Sequence, residues 1–140
     1  MDGDLSLVVV EQVPADPVKG WVPAYHFEMR RVVDDAAMGR LRLRIGDGDG
    51  ILKYAGNVGY DVKAEFRGRR VAARSVRLVM DLARRHGLTA LWIGCRPDNT
   101  ASRRTCELIG AVYVETIDVP RDQPLFEYGV SITCRYRVAL

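Results

Sequence analysis

VKAEFRGRRVAARS, residues 62–75, joins a predicted strand to a predicted helix through a short basic turn of small residues. The first N–H groups of a helix have no partner inside the helix, and they give its N-terminus a partial positive charge to which phosphate binds readily. The alternative is an ordinary strand-to-helix turn with solvated arginines. The stretch contains neither a Walker loop nor the motif G-x-G-x-x-G. Residues that would let an anion approach or would add charge are Gly68, Ala72, Ala73, Arg69, Arg70 and Arg74.

The hydrophobic pattern on either side predicts seven strands and two main helices. In 37–46, leucines and an isoleucine alternate with arginines, which is typical of a half-buried antiparallel strand. Residues 71–86 have helical spacing, and Gly87 fits the C-terminal cap. Asp98 or Asn99 can cap a second helix over about 99–109, which Gly110 would end. The predicted strands are 5–13, 24–33, 37–46, 56–63, 89–96, 111–119 and 130–138.

The order of these elements, β-β-β-β-α-β-α-β-β, predicts an α/β (α+β) fold. An antiparallel meander comes first and a β-α-β unit follows, so we expect a mixed, mostly antiparallel sheet with at least one parallel pair. Gly56 and Gly59 would mark a bulge or a close backbone approach. Residues 14–23 and 46–57 are interpreted as loops. Ligands of such sheets bind at the carboxyl end of a strand where its neighbours diverge.

Length and composition restrict the class of protein. A chain of 140 residues predicts one domain, 1–140. It has no run of 18 apolar residues, and its start lacks a basic region and a cleavage site, so we expect a cytoplasmic protein without membrane attachment. The three cysteines form no C-x-x-C pair, so we expect reduced thiols and no metal site.

Two motifs together resemble the GNAT acetyltransferases. The pyrophosphate loop of that family has the pattern [QR]-x-x-G-x-[GA]. Arg67 and Ala72 match its first and last positions, whereas Arg70 replaces the usual glycine and must take a negative φ unless strain is accepted. About 30 residues later, PDNTASRRTCELIGA (97–111) resembles the family pattern N-x-x-[AS]-x-x-x-[YF]-E-x-x-G. The matching positions there are Asn99, Ser102, Cys106, Glu107 and Gly110.

The resemblance implies a GNAT-like sheet in which a central parallel pair, 57–63 and 89–96, splays apart. The pantetheine arm of acetyl-CoA would lie in that gap, bonded by backbone groups near Tyr60 and Val62. Asn99 would cap the second helix, bond the cofactor arm, or do both. The cofactor-binding residues implied are Tyr60, Val62, Arg67, Gly68, Arg69, Arg70, Val71, Ala72, Ala73, Asn99 and Ser102.

The implied chemistry is direct attack of an amine on the acetyl group in a ternary complex. A backbone N–H in the stretch Asn57–Gly59 would stabilise the oxyanion. Cys106 stands where many relatives have a tyrosine that protonates the departing thiolate, so it is a candidate general acid; the alternative is a small buried residue. Asn57 occupies a candidate position for the base but cannot act as one. The candidates for the base are Asp61, Glu28, His26 and Asp118.

The resemblance leaves the acceptor unnamed. Family members usually have two helices after the first strand that wall the acceptor site, and 14–23 is too short for them. The acceptor side would be open, or built by 46–57 and a second subunit as a homodimer. We expect a small-molecule or peptide amine as acceptor. Two alternatives rank well below an acetyltransferase: a non-catalytic acyl-CoA-binding module, and a nucleic-acid binder that would use the arginine-rich helix face. Against the nucleic-acid binder, the sequence lacks interleaved aromatic residues for base stacking.

Overall fold

Alternating side chains build the first sheet, in which β1 (Leu5–Val13), β2 (Ala24–Arg31), β3 (Ala37–Arg44) and β4 (Val58–Val62) follow in chain order. Each strand is antiparallel to the next. The leucines of β3 are buried, whereas the arginines between them are exposed or half-buried. The predicted alternation is confirmed, and it gives this sheet one face in the core and one face that is rich in charge.

The second sheet has three antiparallel strands in the order β5, β7, β6. They are β5 (Ala90–Cys95), β6 (Val112–Asp118) and β7 (Ile132–Ala139). Every second residue of β5 is buried, beginning with Leu91, and belongs to the same hydrophobic core as the inner face of the first sheet. The two sheets therefore share one core.

Two main helices cover this core, as predicted. Helix α2 (Val71–Arg85) buries an apolar stripe against the first sheet, and α3 (Thr100–Leu108) begins at the cap Asn99. Two short helices were not predicted: α1 (Ile51–Ala55), within the stretch interpreted as a loop, and α4 (Pro124–Glu127). No helix of the described residues is long and apolar enough to cross a membrane.

The computed structural model describes residues 1–18, 22–46 and 51–140. Residues 19–21 and 47–50, which belong to the two predicted loops, lie outside the described residues. The described residues of 14–23 form no helix, as expected from the length of that connection.

The two sheets meet where β4 begins, at a junction called the vertex below. Asn57 donates its N–H to the carbonyl of Trp92 over 2.7 Å, and Gly56 forms an isolated bridge with Ile93. Beyond the vertex, no ladder joins β4 to β5 in the described chain. The isolated bridge between these segments, Gly56 with Ile93, is antiparallel, and β4 and β5 separate beyond it. The predicted splay of the two strands is confirmed, and no parallel ladder joins them in the described residues.

The two glycines near the vertex differ. Gly56 has φ +78°, and a Cβ there would lie 2.4 Å from the Trp92 carbonyl oxygen. It therefore makes the predicted close backbone approach. Gly59 shows neither predicted feature: the register between β3 and β4 is not shifted there, and a Cβ would meet only an Arg44 nitrogen at 4.0 Å.

Candidate active site

A cavity of about 520 Å³ opens at the carboxyl ends of β4 and β5, between the starts of α2 and α3. Of the predicted cofactor residues, only Arg69 and Ala73 do not line it; Ala73 is 1% exposed and packs in the core. The cavity, called the cleft below, is lined by Tyr60, Asp61, Val62, Phe66, Arg67, Gly68, Arg70, Val71, Ala72, Asn99, Ala101, Ser102, Arg104, Thr105 and Leu108.

The first turn of α2 presents unpaired backbone donors to the cleft. Arg74 is the first residue whose N–H bonds backwards, to the Arg70 carbonyl at 3.0 Å. Among the described residues no acceptor bonds the N–H groups of Val71, Ala72 and Ala73. Such a set of donors at a helix N-terminus is suited to an anion.

Arg70 adopts φ +58° and ψ +28°, the left-handed conformation that the glycine of the pattern would adopt without strain. The expectation of a negative φ is therefore wrong, and the strain is accepted. The backbone consequently turns into α2 as a glycine would turn. The Arg70 side chain makes no capping hydrogen bond and lines the cleft.

The other arginines of this stretch have separate partners. Arg67 lines the cleft and donates its Nε–H to the Val62 carbonyl at 3.1 Å. The Arg69 guanidinium lies 6.0 Å from the centroid of the Phe66 ring. Arg74, expected to add charge at the turn, instead pairs with Asp2 at 2.9 Å and with the nearby Asp4 carboxylate. It ties α2 to the start of the chain.

The register of β4 decides which backbone groups face the gap. Arg44 donates its N–H to the Asn57 carbonyl, and Lys63 donates to the Met38 carbonyl. In an antiparallel ladder alternate residues face the partner strand, so Gly59 and Asp61 bond towards β3. The N–H and C=O groups of Val58, Tyr60 and Val62 consequently point towards β5 and the gap.

The wall of the cleft opposite α2 is held by hydrogen bonds. Asn99 accepts the Ser102 N–H at 3.1 Å, so its predicted capping role is confirmed. The Tyr60 hydroxyl lies 2.9 Å from Ser102 Oγ. Burial raises the pKa of Tyr60, so its hydroxyl stays protonated. The sequence predicts only a backbone role for Tyr60, because its side chain is placed by a contact across 42 residues.

Cys106 is fully buried beneath this wall. Its thiol neighbours the side chains of Tyr60 and Cys95. Hydrogen bonding with Cys95, followed by burial, raises the pKa of Cys106. The thiol therefore stays protonated, which agrees with the alternative that Cys106 is a small buried residue.

Asn57 is 2% exposed, and every polar group of its side chain is used within the protein. Nδ2 donates to the carbonyls of Arg44 at 3.1 Å and Gly46 at 2.8 Å, and Oδ1 accepts the Trp92 N–H at 2.9 Å. The side chain joins β3, β4 and β5 at the vertex. It has no group left for a substrate.

The model of the acetyltransferase (GNAT) domain family matches residues 15–112, which is more than half of the chain. The chain belongs to the GNAT acetyltransferase family. No curated protein matches it in sequence.

Solved structures of other GNAT acetyltransferases have the same fold. The ribosomal-protein-S5-alanine acetyltransferase of Vibrio fischeri is 17% identical with a TM-score of 0.64, over 83% of this chain and 61% of its own. The enzyme of Salmonella typhimurium that modifies the N-terminal serine of L7/L12 is 18% identical with a TM-score of 0.63, over 88% and 66%. The microcin C7 self-immunity acetyltransferase, solved with acetyl-CoA and AMP, is 19% identical with a TM-score of 0.62, over 84% and 61%. The chain thus spans less than two thirds of the length of each.

The sheet face away from α2 carries two of the candidate bases. Asp61 lies on it and borders both the cleft and a second cavity of about 420 Å³, which also contains Gly59 and His26. His26 Nδ1 is 3.2 Å from Glu11 Oε1. Burial, and then the charge of Arg42, lower the pKa of His26, so its imidazole is neutral near pH 7.

The other two candidate bases lie elsewhere or are engaged. Glu28 accepts a hydrogen bond from Arg30 Nε at 2.7 Å. Asp118 lies on β6 opposite Ile132, in the second sheet, and lines none of the cavities described above. Asp61 and His26 are the two candidate bases that face a cavity on the open side.

Proposed function

We propose that this chain is one domain, 1–140, that acts as an acetyl-CoA-dependent N-acetyltransferase on a primary amine. The cleft carries the proposal, because unpaired N–H groups at the start of α2 and outward-facing backbone groups of β4 line one cavity. It fits the cofactor in kind: donors for a diphosphate at one end, and a strand edge for an extended amide-bearing arm along the gap. None of the described His, Cys, Asp and Glu side chains form a metal-binding group, and the proposed mechanism uses no metal.

In this mechanism the backbone of β4 binds the cofactor arm and polarises the acetyl carbonyl, and Asp61 or His26 takes a proton from the amine. Acetyl-CoA would supply an acetyl thioester, whose carbonyl carbon bonds the amine nitrogen as the C–S bond breaks. Asn57 N–H is bonded to Trp92, and Gly59 N–H faces β3, so the oxyanion donor within Asn57–Gly59 is Val58 N–H. Asp61 borders both cavities, so its carboxylate can take the proton that the amine loses.

The residues near the departing sulfur have different proposed roles from those the family pattern suggests. The protonated hydroxyl of Tyr60 at the cleft wall would donate a hydrogen bond to a thiolate. Cys106 as general acid stays a prediction, and its burial favours a packing role. We propose that Asn57 positions β4 and β5 without touching a substrate, since its side chain is fully bonded.

Relatives in fold modify ribosomal proteins, which agrees with a peptide or protein amine among the proposed acceptors. We further propose a homodimer in the cytoplasm. Val112 and Val114, exposed on the edge strand β6, offer apolar surface for a second copy, and the three free cysteines suit a reducing compartment. Equilibrium sedimentation that shows only monomer at micromolar concentration would contradict the dimer.

The decisive test of the cleft is the charge-reversal variant Arg70→Glu. Placing a carboxylate where the diphosphate would lie should weaken acetyl-CoA binding by about tenfold or more in calorimetry. Arg121→Glu is the matched control, because Arg121 is exposed and lies outside the cleft; its affinity should stay within about twofold. Equal affinities in the two variants would contradict the cleft. Tight binding in the wild type without thiol release across a broad amine panel would instead favour the non-catalytic acyl-CoA-binding module.

A further inference from the structure

Three arginines point out from β3 on the face away from α2. They are Arg40, Arg42 and Arg44, called the arginine row below. Leu41 and Leu43, between them, are buried on the opposite face. The described residues between β1 and β2 form no helix that could cover this face.

Within the described ranges, the arginine row has no carboxylate partner. No carboxylate oxygen of the described residues lies within 4.0 Å of these guanidinium groups. Two of the nearby acids are engaged elsewhere, since Glu11 bonds His26 and Glu28 bonds Arg30, whereas a third, Asp61, lies opposite Arg40 on β4.

Arg44 is the least exposed of the three arginines in the row. Burial, and then the charge of Arg42, lower the pKa of Arg44, and its Nη1 donates to the Gly56 carbonyl at 3.1 Å. A cation that is largely removed from water is costly unless an anion accompanies it. Two neighbouring arginines without a counter-ion would both be stabilised by one bound anion.

The arginine row lies next to the proposed reaction site. Arg42 and Arg44 line a cavity of about 520 Å³, and Arg42 also lines the smaller cavity that contains Gly59 and Asp61. Arg44 Nη1 lies 4.0 Å from where a Cβ of Gly59 would stand. An anion held by these two arginines would therefore lie beside the strand that bears the proposed oxyanion donor, Val58.

The charges across this face are complementary to a molecule that carries both a positive and a negative group. Arg42 and Arg44 offer donors for a carboxylate or a phosphate, and a guanidinium fork matches the geometry of both. Asp61, at the edge of the cleft, would face the ammonium group before it loses its proton. An amine without an anionic group would leave the arginines unpaired.

We propose that the acceptor of acetyl transfer carries an anionic group, a carboxylate or a phosphate, which Arg42 and Arg44 bind on the open face of the first sheet. The proposal rests on the proposed function for the identity of the ligand as acceptor. The anion site itself can be measured without turnover.

The binding arm of the test uses inorganic phosphate and acetate as probes. NMR follows the guanidinium Nε–H signals while coenzyme A saturates the cleft. We expect saturable shifts at Arg42 and Arg44, and binding about tenfold weaker in Arg42→Gln. The control is Arg121→Gln, which should bind as the wild type does. Phosphate and acetate binding that Arg42→Gln leaves unchanged would overturn the proposal. Thermal unfolding of Arg42→Gln checks that the variant is folded.

The kinetic arm compares matched amines with and without an anion. The pairs are glycine with glycinamide, for a carboxylate, and O-phosphoethanolamine with ethanolamine, for a phosphate. We expect kcat/KM at least about tenfold higher for one anionic member, and an Arg42→Gln variant that loses this preference through KM. The pair that shows the preference identifies which anion is bound. Equal rates within both pairs would overturn the proposal while leaving acetyl transfer standing. Anion binding without thiol release from any amine would contradict the proposed function and leave the anion site standing.

Discussion

Replacing Asn57 should open the vertex of the two sheets. In Asn57→Ala, the Trp92 N–H and the carbonyls of Arg44 and Gly46 lose their hydrogen bonds. Each buried group left unpaired costs about 1–3 kcal/mol. Because all three hydrogen bonds are only partly buried, we take the lower part of that range for each group. The expected loss in the free energy of unfolding is about 3–4 kcal/mol, a large share of the ~5–15 kcal/mol of a typical domain.

Urea unfolding, followed by the fluorescence of Trp92 at the vertex and by circular dichroism, measures this loss. Asn57→Asp is the sharper variant: it keeps an acceptor for the Trp92 N–H but sets an oxygen against two carbonyl oxygens. We expect it to be destabilised at least as much as Asn57→Ala. Asn99→Ala, which removes one exposed helix cap, is the control and should lose about 1 kcal/mol. If both Asn57 variants stay within about 1 kcal/mol of the wild type, the side chain does not hold the vertex and the reasoning is wrong.

Two further predictions concern the vertex and the open face. Gly56→Ala should be destabilised far more than Gly110→Ala, although both have a positive φ, because only at Gly56 would the new Cβ strike the Trp92 carbonyl; equal losses in urea unfolding would contradict this. An NMR titration should place the pKa of His26 below its usual 6.5, and Arg42→Gln should raise it by removing a nearby positive charge. Because the unfolded state then binds a proton first, the contribution of His26 to stability falls as pH drops from about 6.5 to its folded pKa, and a titration curve that is the same in the variant would contradict the contact.

The sequence predicted the elements whose signals are local. β3 shows the alternation of two faces directly in its residues, and α2 has both helical spacing and a glycine at its end. Asn99 is both the helix cap and the first residue of the family motif on α3, so this one residue predicted both the start of the helix and the wall of the cleft. These elements could be predicted because their patterns do not depend on contacts with distant residues.

The features that the sequence did not predict depend on contacts between distant residues. Helix α1 has only five residues, too few to show a hydrophobic period, and it packs against β5. The left-handed Arg70 follows from the turn into α2, which the surrounding structure imposes on a residue that does not favour it. The arginine row was visible as an alternation, but its lack of carboxylate partners among the residues that the structure describes depends on the register of three strands.

Cys106 and Tyr60 are two parts of one packing arrangement. Ser102 and Cys106 are one turn apart on α3, so their side chains lie on the same face of the helix. The Tyr60 side chain crosses from β4 to that face and puts its hydroxyl 2.9 Å from Ser102 Oγ, beside the Cys106 thiol. A second tyrosine at 106 would need the volume that this ring already fills, whereas a small thiol leaves room for it. The residue that departs from the family pattern on α3 is therefore matched by a phenol that reaches the same wall of the cleft from the neighbouring strand.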